Sequence, residues 1–307
     1  MAEKKAPKKT TKTTAKKSAL PRVEIGILGG TGLYEIEGVK DLKEYKLRTP
    51  FGAPSDAFVV GTLEGRRVAF LSRHGRGHRH LPQDINYRAN VYGFKILDAE
   101  RLISVSSVGS LKEEIRPRDI VFSDQFIDKT HRQSTFFGGG IAAHISLGRP
   151  VCGPLSKFLH DTAVGLGIRA HMGGTYVCME GPAFSTMAES RIHRAWGGDV
   201  IGMTGATEAK LFREAEICYA TMNLATDYDV WREEEEHVSV KIILENLHLN
   251  IHDAKAIIRK AVATLPPHDP AACACGEALR NTIVTAPHLI PPALKKKLAL
   301  IIGRYIK

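Results

Sequence analysis

The sequence predicts an α/β fold, a mostly parallel β-sheet covered by helices on both faces. Three observations carry this expectation. Short apolar, β-branched runs alternate with stretches of helical periodicity from Val23 to about Leu265, polar and glycine residues recur just after those runs, and the segment PPHDPAACACG then breaks the pattern. With 307 residues and 43% hydrophobic content the chain can bury a large core.

Strands are expected, in order, at VEIGILGG, RRVAFLSRHG, RLISVSSVGSL, DIVFSDQFID, MGGTYVCMEGP, DVIGMTG and ICYATMNLATDYD, each a short run of branched or aromatic residues bounded by turn formers. Between them lie Asn86 to Ala99, Leu155 to Leu166, Phe184 to Gly197 and Ala206 to Ala215, where apolar residues recur at three- and four-residue spacing. Val238 to Leu265 reads as one or two further helices. The prolines that follow end it, because proline lacks the amide hydrogen and restricts its predecessor. Beyond them, TAPHLIPPALKKKLALIIGRYIK contains a basic amphipathic helix suited to packing on the body or on a neighbouring subunit. The expected division is a tail over 1–21, a main domain over 22–266 and a C-terminal extension over 267–307.

The net charge of +10 is unevenly distributed. Residues 1–20 hold seven lysines against one glutamate, so the rest of the chain is only mildly basic. That tail has almost no large apolar side chain to offset its ordering entropy and is expected to be disordered, either simply solvated or in weak, salt-sensitive contact with polyanions. No recognisable nucleic-acid motif accompanies it. No apolar run reaches the roughly 18 residues that a membrane helix needs, and no secretory leader is evident, so a cytoplasmic protein without a membrane partner is expected.

Cys152, Cys178 and Cys218 sit in apolar, strand-like contexts and read as small buried hydrophobes. Cys273 and Cys275 differ. A Cys-x-Cys in a proline-preceded, glycine-containing segment suits a redox-sensitive pair or a soft-metal site, yet two isolated thiols make a poor zinc site without companions, and no metal is expected.

Function is suggested by position. Thr31 follows the first strand, Arg73 and His74 follow another, Ser106 and Ser107 lie within SVSSVGS, Met203 and Thr204 follow DVIG, and Asp227 and Asp229 end NLATDYD. The carboxyl ends of parallel strands converge on one crevice, and an arginine, a histidine, hydroxyls and glycine amides there make a cradle for a small oxyanion. Each piece alone has a plainer reading: GGTG as a tight turn, RHGRGHRH as a solvated loop, Met203 as core. GGTG also lacks the full G-x-G-x-x-G, which disfavours a nicotinamide-dependent oxidoreductase. The two aspartates resist a plain reading, since carboxylates at i and i+2 share one side of a strand and are expensive to bury unless a ligand supplies donors.

Together GILGGTGL, TPFGAPSD, LSRHGRGH, EGPAFST, GMT and ATDYDVW resemble, in order and spacing, the methylthioadenosine phosphorylase branch of the trimeric purine nucleoside phosphorylases, over roughly Val23 to Leu265. The resemblance implies a single α/β domain with a mixed, mostly parallel, partly barrel-like sheet surrounded by helices. It implies phosphorolysis of S-methyl-5'-thioadenosine, with inorganic phosphate as co-substrate and no cofactor, in a homotrimer or hexamer. Phosphate would be bound by Thr31, Arg73, His74, Ser106, Ser107 and Thr204. Threonine is common in the family where Ser106 stands, and alanine where Ser107 stands. Met203 would lie under the ribose, Phe184, Ser185 and Tyr228 by the base, and Asp227 and Asp229 at its N7 and 6-amino edge, with Asp227 catalytic. Ala183 replaces a frequent arginine. Val240, Ile243 and Leu244 correspond to an apolar pocket for the methylthio group, or to an ordinary buried helix face, and His144 to a histidine that reaches in from a neighbouring subunit. The CAC segment resembles one found in heat-adapted members. An ionised carboxylate only accepts hydrogen bonds, so Asp229 favours the 6-amino donor of adenine over a 6-oxo acceptor. The nearest rival is a phosphorylase of methylthioinosine, inosine or guanosine.

Overall fold

The computed structural model describes residues 20–30, 33, 36–232 and 240–306, and of residues 240–244 the helical backbone alone. The tail expected to be disordered lies almost wholly outside the described residues. Among the described residues, eleven strands run in chain order as β1 Ile25–Gly29, β2 Lys40–Tyr45, β3 Phe58–Leu63, β4 Arg66–Ser72, β5 Arg101–Ser110, β6 Ile120–Phe122, β7 Gln125–Asp128, β8 Ala170–Met172, β9 Thr175–Cys178, β10 Val200–Gly202 and β11 Cys218–Asp227. The helices are α1 Tyr87–Ile96, α2 Gly153–Gly165, α3 Met187–Ala195, α4 Gly205–Glu214, α5 Val240–Thr264, α6 Pro292–Lys297 and α7 Ala299–Ile302.

All described strands belong to one sheet, in the order β2-β3-β4-β1-β5-β10-β9-β7, with β11, β6 and β8 branching from β5. The sheet is mixed and mostly parallel. β1 pairs in parallel with β4 and β5, and β5 with β11, whereas β10 meets only the end of β5, antiparallel, at Val200↔Ser110 and Ile201↔Gly109. β5 is long enough to serve both branches, and among the described residues the sheet branches rather than closing into a barrel.

Three strands went unnoticed in the sequence. β2 is KDLKEY, mostly exposed, and its charges suit an edge that must not pair with another chain. β3 joins β4 through the two-residue loop Glu64–Gly65, both at positive φ (47° and 80°), the conformation that lets a tight hairpin follow the strand twist. β8 is three residues long and finds its partner only in β6.

The sheet is covered on both faces. On one, Ala254, Ile257, Ile258, Ala261 and Val262 of α5 recur at helical spacing and pack with Leu155 and Leu159 of α2 against Ile27, Ile103 and Met222. On the other, Val91 and Phe94 of α1 and Phe212 of α4 meet Leu71 and Leu102. Fully burying each such side chain contributes about 1.5–3 kcal/mol. Local signals fix the helix starts: Asn86 accepts from the Ala89 N–H ahead of α1, and Thr186 and Glu189 form a reciprocal capping box on α3. The C-terminal segment joins the second face. α6 and α7 keep Lys296 outward and set the Lys297 ammonium over the Phe51 ring, while Leu298, Ile301 and Ile302 are buried in the same core. No described helix is long and apolar enough to cross a membrane.

Because β1, β4, β5 and β11 are mutually parallel, their carboxyl ends face one edge, where Gly29, Arg73, Ser106 and Asp227 gather.

Candidate functional site

One end of the site is an ion-pair network beneath the strand ends. The Arg73 N–H donates to the Gly29 carbonyl at 2.8 Å, tying β4 to β1, and the side chain turns inward. Its Nε donates to Glu208 Oε1 at 2.5 Å, Nη1 to the Val105 carbonyl at 2.8 Å, and Nη2 to Ser104 Oγ at 2.7 Å and Glu208 Oε2 at 3.1 Å. Ser104 in turn donates to Glu208 Oε2 at 2.7 Å, and the Tyr219 hydroxyl does so at 3.3 Å. Burial opposes the charge on Arg73, but Glu208 beside it more than offsets this and holds the guanidinium firmly protonated. What Arg73 offers an incoming anion is one remaining Nη1 hydrogen on a charge that is already paired. Glu208 and Ser104 were missed in the sequence, because a glutamate inside a helix reads as surface until its partner is known.

His74 is half-buried, and its Nδ1 lies 2.8 Å from the His80 carbonyl. A carbonyl only accepts, so Nδ1 carries the hydrogen and Nε2 presents a lone pair. Burial, with the Arg73 charge second, pushes His74 down to about 4, so the ring is neutral near pH 7. Ser106 donates to Asn223 Oδ1 at 3.1 Å; Asn223 also accepts from Thr221 at 2.8 Å and donates to Ser123 at 3.0 Å, so the hydroxyl sits on a fully bonded support. Ser107 is exposed, and as the next strand residue it projects from the opposite face of β5. Thr204 is buried at the N-terminal boundary of α4 and its side chain makes no capping bond to that helix, while its N–H points to the Tyr176 hydroxyl at 3.4 Å. Thr31 lies outside the described residues.

The other end is built around β11. The strand ends at Asp227, and Asp229 lies beyond it at φ 53°, so a turn, rather than strand alternation, brings the two carboxylates together. A Cβ at Gly109 would stand 2.9 Å from Asp227 Oδ1 and 3.3 Å from the Asp229 Cβ, so only glycine lets β5 run this close beneath both. Asp227 Oδ2 accepts from Thr226 at 2.7 Å and Oδ1 from the Asp229 N–H at 2.8 Å, yet burial still pushes its carboxyl up. Burial also pushes Asp229 up, against the nearby Ser190 and Ser185 hydroxyls. Asp229 Oδ2 is buried without a hydrogen-bond partner, and so is His193 Nδ1. Ser185 is buried and donates weakly to the Met179 sulfur, while Phe184 is half exposed above it. Tyr228 packs its ring edge-on against Trp231, under the Arg232 guanidinium, and its hydroxyl reaches the Glu113 carbonyl at 3.5 Å, so its side chain is engaged away from the carboxylates.

Between the ends lies Met203, held by a clamp that had no sequence signal. Arg132 donates to Glu180 Oε1 at 2.9 Å, to the Tyr87 hydroxyl at 2.8 Å, and to the carbonyls of Met203 and Glu180, locking the GMT and EGP segments together.

A sequence profile described as Phosphorylase superfamily matches residues 24–263. The chain belongs to this superfamily. Among curated members it is 54% identical over 285 residues to the S-methyl-5'-thioadenosine phosphorylase of Koribacter versatilis (strain Ellin345), covering 92% of this chain and 97% of that protein. It is 53% identical over 290 residues to the same enzyme of Gloeobacter violaceus, covering 93% and 97%. Among solved phosphorylases, a methylthioadenosine phosphorylase from an antarctic soil metagenomic library matches with TM-score 0.85 and 42% identity over 91% of this chain and 99% of that one. The Schistosoma mansoni methylthioadenosine phosphorylase in complex with adenine matches with TM-score 0.78 and 34% identity over 84% and 99%.

Two groups of site residues proposed for this phosphorylase stand apart from the rest. The backbones of Val240, Ile243 and Leu244 open α5, but their side chains lie outside the described residues. His144 is exposed on a loop whose N–H donates to the Thr282 carbonyl at 3.0 Å, on the surface and outside both ends of the site.

Proposed function

We propose that the chain cleaves S-methyl-5'-thioadenosine with inorganic phosphate, giving adenine and 5-methylthioribose 1-phosphate. One observation carries the choice of base: Asp229 Oδ2 is buried and accepts no hydrogen bond, although the Ser185 and Ser190 hydroxyls lie nearby, and it stands beside an Asp227 whose acidity burial has weakened. An acceptor in want of a donor suits the 6-amino group of adenine, and a carboxyl with a raised pKa suits a proton donor at N7.

Phosphate binds at the start of α4, contacted by Thr204, Ser106, Thr31, the backbone amide of Ser107 and the remaining Arg73 hydrogen, while the neutral His74 accepts from a phosphate hydroxyl. Ribose lies over Met203, and the base lies by Phe184 and Ser185. The methylthio group enters the pocket of Val240, Ile243 and Leu244, completed by His144 of the neighbouring subunit in a trimer or hexamer. A phosphate oxygen attacks C1' as the bond to N9 breaks and its electron pair enters the purine. Asp227 gives its proton to N7, and the proton that phosphate sheds on becoming an ester restores the balance. Positive charge on the sugar is stabilised by the phosphate below, and negative charge on the base by Asp227 above. No cofactor is required.

The test compares base release from methylthioadenosine and from inosine, with and without phosphate. Adenine is expected only with phosphate, and inosine is expected to react roughly 5- to 150-fold more slowly, the equivalent of about 1–3 kcal/mol for unpaired polar groups. Equal rates on both substrates, or base release without phosphate, would refute the proposal.

A further inference from the structure

Away from the site, four of the five cysteines converge. Cys152, Cys218, Cys273 and Cys275 place all their sulfurs within 4.8 Å of one another. They come from three parts of the fold: Cys152 caps the start of α2, Cys218 opens β11, and Cys273 and Cys275 flank Ala274 in the turns after α5. The companions that the Cys-x-Cys pair lacked in the sequence are therefore supplied by the fold. We propose that these four cysteines form a tetrahedral thiolate site for a divalent ion of the zinc type, which pins the C-terminal segment to the body of the domain.

The spacing fits the metal. Four sulfurs at about 2.3 Å from a tetrahedral zinc stand about 3.8 Å apart, and here Cys218 Sγ and Cys273 Sγ are 3.4 Å apart. That separation is well beyond a disulfide bond of about 2.05 Å, and no cysteine is bonded to another. Iron–sulfur clusters hold their thiolates farther apart, around a core of iron and sulfide. The surroundings also fit. Four thiolates around a dication leave two excess negative charges. Arg213 Nη1 lies 3.5 Å from Cys275 Sγ, and Arg101 is within electrostatic reach of Cys218 and Cys152. Cys152 adds the positive end of the 13-residue α2. His268 Nε2, 3.6 Å from Cys218 Sγ, completes an outer ring that can donate to sulfur. Cys273 is only half-buried, which gives the ion and the displaced thiol protons a route to solvent.

A mechanical reason for the site is visible. Arg101 already holds the carbonyls of Pro266 and Pro267 at 2.8 and 3.0 Å, so the chain leaving α5 is fastened at one point. The four thiolates fasten it at a second, just before residues 290–302 enter the core.

The experiment uses the full chain, produced with zinc supplied and purified under anaerobic, reducing conditions. Elemental analysis is expected to give one zinc per chain. A zinc-selective chelator should release it together with four newly reactive thiols, and cobalt refilling should give the charge-transfer and intense ligand-field bands of tetrahedral thiolate coordination. The double variant Cys273→Ser, Cys275→Ser should lose the metal and at least about 5 °C of Tm, with no change in base release at low temperature. If that variant fails to fold, the cobalt spectrum of the unaltered protein decides. Metal-free protein with four reactive thiols, or a mass short by the hydrogens of two disulfides in anaerobic preparations, would overturn the proposal.

Discussion

The two ends of the site are built on opposite terms. At the proposed phosphate end the charges are matched before any ligand arrives: Arg73 is held by Glu208, Ser104 and Val105 with one Nη1 hydrogen left over, and Ser106 rests on Asn223. At the purine end the fold leaves a buried carboxylate oxygen of Asp229 unpaired and forces Asp227 away from its ordinary acidity. The first arrangement supplies rigidity, so that an anion meets fixed amides and hydroxyls without rearranging them. The second holds polar groups in an unfavourable state that a base of the right pattern relieves. Under the proposed assignment, binding and specificity reside in different parts of the site, and substitutions should separate them.

The largest effect is expected where chemistry and strain coincide. Asp227→Asn keeps the shape but removes the proton, and kcat for methylthioadenosine should fall about 10²- to 10⁴-fold, with KM little changed. Steady-state kinetics check this, and an unchanged kcat would move proton donation elsewhere. Nearly as large, but in stability, is Glu208→Ala. It leaves the Arg73 charge buried and unpaired, a loss of about 3–5 kcal/mol, seen as a lower denaturant midpoint. Should the midpoint stay put, the phosphate end is not the rigid half of the comparison.

Sequence reasoning located these ends unequally, and the reason is physical. Strand ends, glycine turns and adjacent aspartates are local features, so Arg73, Ser106, Thr204, Asp227 and Asp229 could be picked out and gathered by the logic of a parallel sheet. Partnership is not local. Glu208 stands 135 positions from Arg73, Arg132 stands 71 from Met203, and Cys218 stands 55 from Cys273. Nothing in GATEAK or HRQST marks its residues as buried until the fold supplies a neighbour. The same limit applies to β2, whose charged pattern hides an edge strand, and to the premise that Asp227 and Asp229 share a strand face, where the decisive feature is a left-handed turn at Asp229. The expected strands were legible mainly where burial on both faces writes continuous apolar runs, but DIVFSDQFID, expected as one strand, is two, β6 and the more exposed β7.

A smaller effect should sharpen the purine half. Asp229→Asn adds a donor where the buried acceptor stood, so the preference for methylthioadenosine over inosine should shrink by about 1–3 kcal/mol. The ratio of kcat/KM for the two substrates reads this directly. An unaltered ratio would mean that Asp229 does not face the 6-position.

The smallest expected effect bears on the phosphate half. His74 in free solution would change charge near pH 6.5, and a protonated ring beside an anion would make phosphate affinity pH-dependent. Here burial and Arg73 push it down to about 4. The sign follows: the folded protein resists a proton that the unfolded chain accepts, so His74 contributes stability above about 6.5 that is lost as pH falls toward about 4. Within that reading the ring stays neutral from about pH 5 to 8 and adds no limb to the pH dependence of kcat/KM for phosphate. Asp227, raised by burial, contributes the opposite kind of limb, with activity falling as pH rises through its pKa. Profiles of the unaltered enzyme and of His74→Asn should therefore differ in height but share one shape. A limb near pH 6.5 that disappears in the variant would mean that a charged histidine, and not a pre-neutralised network, receives the phosphate.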